Sequence, residues 1–238
     1  MQSSLYIKSN NIVIDSLDEI HFSQSNKTII EQFLKEFKHR KALQEFNLPI
    51  DNKILLYGHT GCGKTMTAKA IAGVLKKPIV ILNLGGIVSS KLGETAKNIQ
   101  SLFDKAIRQN AILFIDEFDA IAKMRDYDQK DSGEMKRLVN TIIQLIDYLP
   151  DNVILITATN YKEIIDTAIL RRFQIQLEFK LPTNSLLDVY YTSLLSQYPE
   201  KYRDIQRIYN VFYAEAKNTV FKELKRQIIL EEELKLSI

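Results

Sequence analysis

Gly58-His59-Thr60-Gly61-Cys62-Gly63-Lys64-Thr65 carries glycines, a lysine and a hydroxyl at the spacing that lets a backbone loop close around phosphate groups. The glycines allow N–H groups to point inward, and a helix opening at Lys64 would add the positive end of its dipole. Gly58, Thr60, Gly61, Cys62, Gly63, Lys64, Thr65 and Met66 therefore form the expected nucleotide cradle, to which His59 and Cys62 bring only backbone. Lys64 would meet the β- and γ-phosphates, and the Thr65 hydroxyl would bind Mg2+. A second group, Ile112 to Glu117, is an apolar run that ends in two carboxylates. There Asp116 could orient the metal and Glu117 could polarise the water that attacks the γ-phosphorus. Asp119 reads as a helix start or a support for that pair. Thr157-Ala158-Thr159-Asn160 ends a third apolar run, where the Asn160 amide could hold the attacking water or touch the γ-phosphate.

These groups need a scaffold that brings strand ends together. Five short runs rich in β-branched residues are predicted strands: 53–57, 79–84, 111–116, 153–158 and 175–179. The first four are apolar throughout, as strands covered on both faces are, whereas the fifth alternates like an edge. Helical spacing falls between them at 64–75, 94–109, 131–148 and, more weakly, 161–172. The alternation predicts an α/β fold with a doubly wound, five-stranded parallel sheet, whose C-terminal strand ends face the ligand crevice. A further amphipathic helix is expected over 27–46. Beyond Pro182 the strands stop and helix is expected to the end, broken near Tyr198-Pro199-Glu200. The predicted division is a large nucleotide-binding domain over 1–182 and a small helical lid over 183–238.

Composition sets outer limits. With 45% hydrophobic residues the chain can bury a core, and 32 basic against 29 acidic side chains leave a balance that does not favour nucleic acid or an anionic membrane. The longest apolar runs are strand-sized, so no membrane span is expected. Met1 to Asn10 lacks the pattern of a secretory signal and Cys62 is the single cysteine, which points to a reducing, cytoplasmic setting.

Together these residues resemble the AAA family of the AAA+ P-loop ATPases, from about Asp15 onward. Asp116-Glu117 is similar to the end of that family's Walker B motif, and Asn160 to its first sensor. Ile165 to Phe173 is similar to its second region of homology, with Thr167 in place of a proline and without the Pro-Gly usually found between the two arginines. The resemblance implies that Arg171 or Arg172, with a small preference for Arg172, reaches the ATP of a neighbouring subunit. A finger contributes roughly 10³ to 10⁵ in rate, which implies a homo-oligomeric ring, expected to be hexameric in the presence of ATP. Ser89 to Glu94 is similar to the family's pore loop, with Lys91 at the aromatic position, and Ile20 is weakly similar to its adenine-contacting segment. Tyr213 to Ala216 is similar to the lid stretch near the base.

The implied function is Mg-ATP hydrolysis between large domain and lid, coupled to remodelling, unfolding or disassembly of a client, expected to be a protein. Because the family's elements begin close behind Met1 and the chain ends with the lid, a separate adaptor or effector protein is expected. The alternative is a nucleotide-gated scaffold or loader on nucleic acid, with Lys91, Lys123 and Arg125 as phosphate contacts.

Overall fold

A computed structural model describes Leu17, residues 20–86, 92–125 and 132–236. The chain divides into two units: residues 1–58 with 64–179, and residues 59–63 with 180–238.

In the first unit, β1 (Lys53–Gly58), β2 (Ile79–Asn83), β3 (Ile112–Asp116), β4 (Ile154–Thr159) and β5 (Ile175–Phe179) form one parallel sheet in the order β2-β3-β4-β1-β5. β3 and β4 are buried along nearly their whole length, as unbroken apolar runs require, and β5 lies at an edge with alternating exposure. Their registers pair Asn83 with Asp116 and Tyr57 with Thr159, so the polar end residues share one margin of the sheet. Helices α3 (Lys64–Val74), α4 (Leu92–Arg108), α5 (Ala120–Arg125) and α6 (Ser132–Asp147) cross between strands. One continuous core joins Val80 and Leu82 of β2, Leu113 and Ile115 of β3, and Leu155 of β4 to Phe103 of α4 and Leu138 and Ile142 of α6. No helix among the described residues is long and apolar enough to cross a membrane.

Two predicted helices are divided. The expected helix over 27–46 is α1 (Gln24–Lys38), capped by the Ser23 hydroxyl, and a separate α2 (Arg40–Glu45). Ile30, Phe33 and Phe37 are buried on α1, whereas α2 buries no residue, so no core contact continues the line of α1 past His39. The expected helix over 161–172 is a 3-10 turn at Lys162–Ile164 followed by α7 (Thr167–Leu170). The Asp166 carboxylate accepts from Ala168 N–H at 2.7 Å, a cap that starts a new helix rather than continuing one.

In the second unit, α8 (Asn184–Leu195) and α9 (Tyr213–Leu236) pack Leu187, Tyr191 and Leu194 against Ala216, Val220 and Leu224. The expected helical continuation between them holds only a 3-10 turn at Glu200–Tyr202, and 204–209 are without regular structure. Side chains of α8 hold that segment instead: the Tyr191 hydroxyl donates to Ile208 C=O at 2.8 Å, and Asp188 accepts from Arg207 and from the Tyr209 hydroxyl.

Candidate nucleotide site

β1 ends at Gly58 with φ +140°, where a Cβ would lie 2.2 Å from the Phe179 carbonyl oxygen of β5. Only glycine lets the chain leave the sheet there, because neighbouring backbone already fills the space. α3 starts at Lys64, and this lysine is 7% exposed. Burial of an ammonium requires partners. Its Nζ donates to the Gly58 carbonyl at 2.7 Å and to Asn160 Oδ1 at 2.8 Å. The lysine of the glycine loop and the amide at the end of β4 thus meet directly.

Asp116 stands at the end of β3, where burial pushes its carboxyl above the usual range and the neighbouring Glu117 charge adds to the effect. Lys64, a Thr65 hydrogen bond and the Glu117 N–H act in the opposite direction without cancelling it. A hard dication fits this spot: it would offset the desolvation of Asp116 and take the adjacent Thr65 oxygen, both being ligands of the type Mg2+ prefers.

Glu117 has φ +53°, a left-handed backbone that costs a side-chain-bearing residue about 1–3 kcal/mol and marks functional turns. Its N–H donates to Asp116 Oδ1 at 2.9 Å. Its carboxylate lies over Gly85, where a Cβ would fall 1.6 Å from Oε2, and Oε1 accepts from Asn83 Nδ2 at 3.3 Å. Asn83 Oδ1 in turn accepts from Gly85 N–H at 2.7 Å. Asn83 and Gly85 are therefore part of the site although the motif spacing does not point to them. The sequence signal was slight, a single polar residue near the end of the apolar run 79–84, and its register opposite Asp116 is visible only in the sheet. Asp119 is buried, and its Oδ1 accepts from the Thr159 hydroxyl at 2.9 Å, while Phe118 N–H donates to Ala158 C=O. These bonds fix the turn bearing Glu117 to the strand bearing Asn160.

Arg171 and Arg172 follow α7. Arg172 donates Nε and Nη2 to the two oxygens of Asp147, at 2.7 and 3.0 Å, and Nη1 to Ala168 C=O. Arg171 is exposed, with no ion pair to a described residue. Ile20 lies in a bend and its N–H donates to Leu17 C=O. Met66 is partly exposed on α3. Lys91, with Asp18 and Glu19, lies outside the described residues, as do the side chains of Lys123 and Arg125.

In the second unit, the His59 ring stacks on Phe212 with centroids 4.5 Å apart, and Ala214 N–H donates to Gly61 C=O at 3.3 Å. Gly61 has φ +76°, and a Cβ on it would approach the Ala214 methyl to 2.9 Å. His59 thus makes a side-chain contact where the sequence indicated only backbone.

Parallel strands that bring the Gly58 turn, a buried lysine and paired carboxylates to one sheet margin, in a chain whose sequence between Gly58 and Lys64 is a glycine loop, define a P-loop nucleotide-binding protein. Within that class, the model of the ATPase family associated with various cellular activities (AAA) matches residues 54–181, and the chain belongs to this family of ATPases. It is 37% identical over 170 residues to an uncharacterized AAA family ATPase, y4kL, of Sinorhizobium fredii, covering 71% of this chain and 51% of that protein. It is 37% identical over 132 residues to a putative 26S proteasome regulatory subunit homolog of Methanothermobacter thermautotrophicus, covering 54% of this chain and 35% of that one. The chain therefore spans about half or less of the length of these relatives. The fold is similar to that of the FIGL-1 AAA domain in its crystal structure, with a TM-score of 0.66, 21% identity, and coverage of 85% of this chain and 67% of that one.

Proposed function

We propose that this chain is the ATP-hydrolysing module of a ring that remodels a protein client. The observation that carries the reading is the convergence of Lys64, Asn160, Asp116 and Glu117 at one margin of the sheet. Lys64, already desolvated, would exchange its carbonyl and amide partners for phosphate oxygens. Mg2+ held by Thr65 and Asp116 would neutralise charge on the β- and γ-phosphates. Asn160, released from Lys64, would orient the attacking water, and Glu117 would swing from Asn83 to take its proton. Among the described residues of the first unit, Lys64 is the cation bonded to Asn160 at this margin, and a trans arginine is proposed to complete the site. Arg171 is the proposed finger because Arg172 is already held by Asp147. The proposed assembly is a hexamer formed with ATP, in the cytoplasm, acting on protein, in keeping with the proteasome regulatory name of one relative.

The test follows ATP turnover against protein concentration, with particle mass in parallel, for the wild type and Glu117→Gln. Specific activity is expected to rise as large particles form, with the variant binding ATP in those particles without turnover. Flat activity per subunit from a monomer sinks the shared-site mechanism.

A further inference from the structure

At the other margin of the first unit's sheet, where β2 and β3 begin, there is a cavity of about 620 Å³ that the nucleotide chemistry does not use. It lies between the last turn of α1 and the end of α3. Lys35, Lys38 and Arg40 line one side, Lys76 and Lys77 the other, and no carboxylate of a described residue lines it. Between these cations the wall is apolar: Leu34, Leu75 and Val74, the last 36% exposed.

Two lysines at a helix end are commonly explained by the helix dipole. Three observations exceed that explanation. First, Lys76 has φ +51° at the position after α3 where glycine or asparagine sits without strain, and the corresponding residues after α2 and α4 are Asn47 and Asn110. Lys76 thus places a cation where the backbone conformation favours a different residue. Second, Lys77 is pinned from behind, donating to Asn110 C=O, Asn110 Oδ1 and Asn152 C=O at 2.6 to 2.9 Å, so it is a fixed charge in the wall. Third, burial pushes the Lys77 ammonium down to about 8 despite those acceptors, and the neighbouring Arg40 charge adds to the effect, so the two cations repel across this wall.

We propose that this cavity docks an acidic peptide segment of a partner protein, its carboxylates meeting Lys35, Lys38, Arg40 and Lys76 and its apolar side chains meeting Leu34, Val74 and Leu75. A nucleic acid fits less well. Single strands gain affinity by stacking bases on exposed rings, and the aromatic here, Phe37, is 2% exposed and capped by Arg40 at 4.8 Å and Lys77 at 5.2 Å. The site stands apart from the catalytic residues, so it holds whether or not the ATPase reading does.

The experiment measures fluorescence anisotropy of a fluorescein-labelled peptide of alternating glutamate and leucine, added to the full chain. Comparison probes are the same peptide with serine for leucine and a single-stranded oligonucleotide of equal charge. Saturable binding of the glutamate-leucine peptide is expected, weaker for the serine version. Lys38→Glu combined with Lys76→Glu should reduce the affinity about tenfold or more, because two attractions become repulsions, while the far-ultraviolet circular dichroism spectrum and thermal melt, which report folding, are unchanged. The proposal is overturned if no saturable binding occurs, if the double variant binds as the wild type does, or if the oligonucleotide binds more tightly and loses affinity in the variant.

Discussion

Replacing Asp147 by asparagine separates the two adjacent arginines. Arg172 is held by a bidentate pair with Asp147, the two side chains being 30% and 40% exposed. An exposed pair of good geometry is worth about 1 kcal/mol at most. If Arg172 had to leave Asp147 to serve a neighbouring subunit, that cost would reduce the engaged population about fivefold. Asp147→Asn would then raise turnover by about that factor. If Arg171 is the finger, the same substitution leaves turnover within about twofold, since no cost on the catalytic path is removed. Arg171→Ala should then lose roughly 10³-fold, and Arg172→Ala much less. The assay is ATP turnover at protein concentrations where activity per subunit has reached its plateau. A fivefold gain for Asp147→Asn together with a thousandfold loss for Arg172→Ala would refute the assignment to Arg171.

Gly58→Ala and Gly63→Ala share a backbone cost of about 1–3 kcal/mol, but only the first also drives a Cβ into the Phe179 carbonyl, whereas Gly63 has open space around it. Urea melts should show Gly58→Ala less stable by about 2 kcal/mol more, and equal losses would remove the packing argument. Asn83→Ala takes away the amide that holds the Glu117 carboxylate, so basal turnover should rise by up to about fivefold at unchanged ATP affinity. A fall in turnover would mean that Asn83 supports the chemistry rather than restraining it. Burial pushes Tyr190 and Tyr213 up to about 12, so in an absorbance titration at alkaline pH both should ionise after the exposed tyrosines. Between pH 10 and 12 the folded chain retains protons that the unfolded one releases, so stability should fall as pH rises through that window. Titration of these two half-buried tyrosines with the rest would contradict this packing.

The sequence by itself determined the strands and the chemistry attached to them. An apolar run of five or six residues between turn signals has one environment that satisfies it, and β1 to β5 form within a residue or so of where the pattern places them. The glycine loop was equally legible, because the φ values of Gly58, Gly61 and Gly63 are ones that glycine adopts at little cost. What spacing cannot carry is contact between residues far apart in the chain. The Lys64 to Asn160 bond spans 96 positions and the Asn83 to Glu117 contact 34, and both exist only because parallel registers bring strand ends together. The breaks at His39 and Asp166 were likewise decided by tertiary structure, since a continuous apolar period does not reveal where core contact ends or where a side chain caps a new helix. Arg171 and Arg172 are indistinguishable as letters, and the distant Asp147 carboxylate that holds one of them is what makes them different.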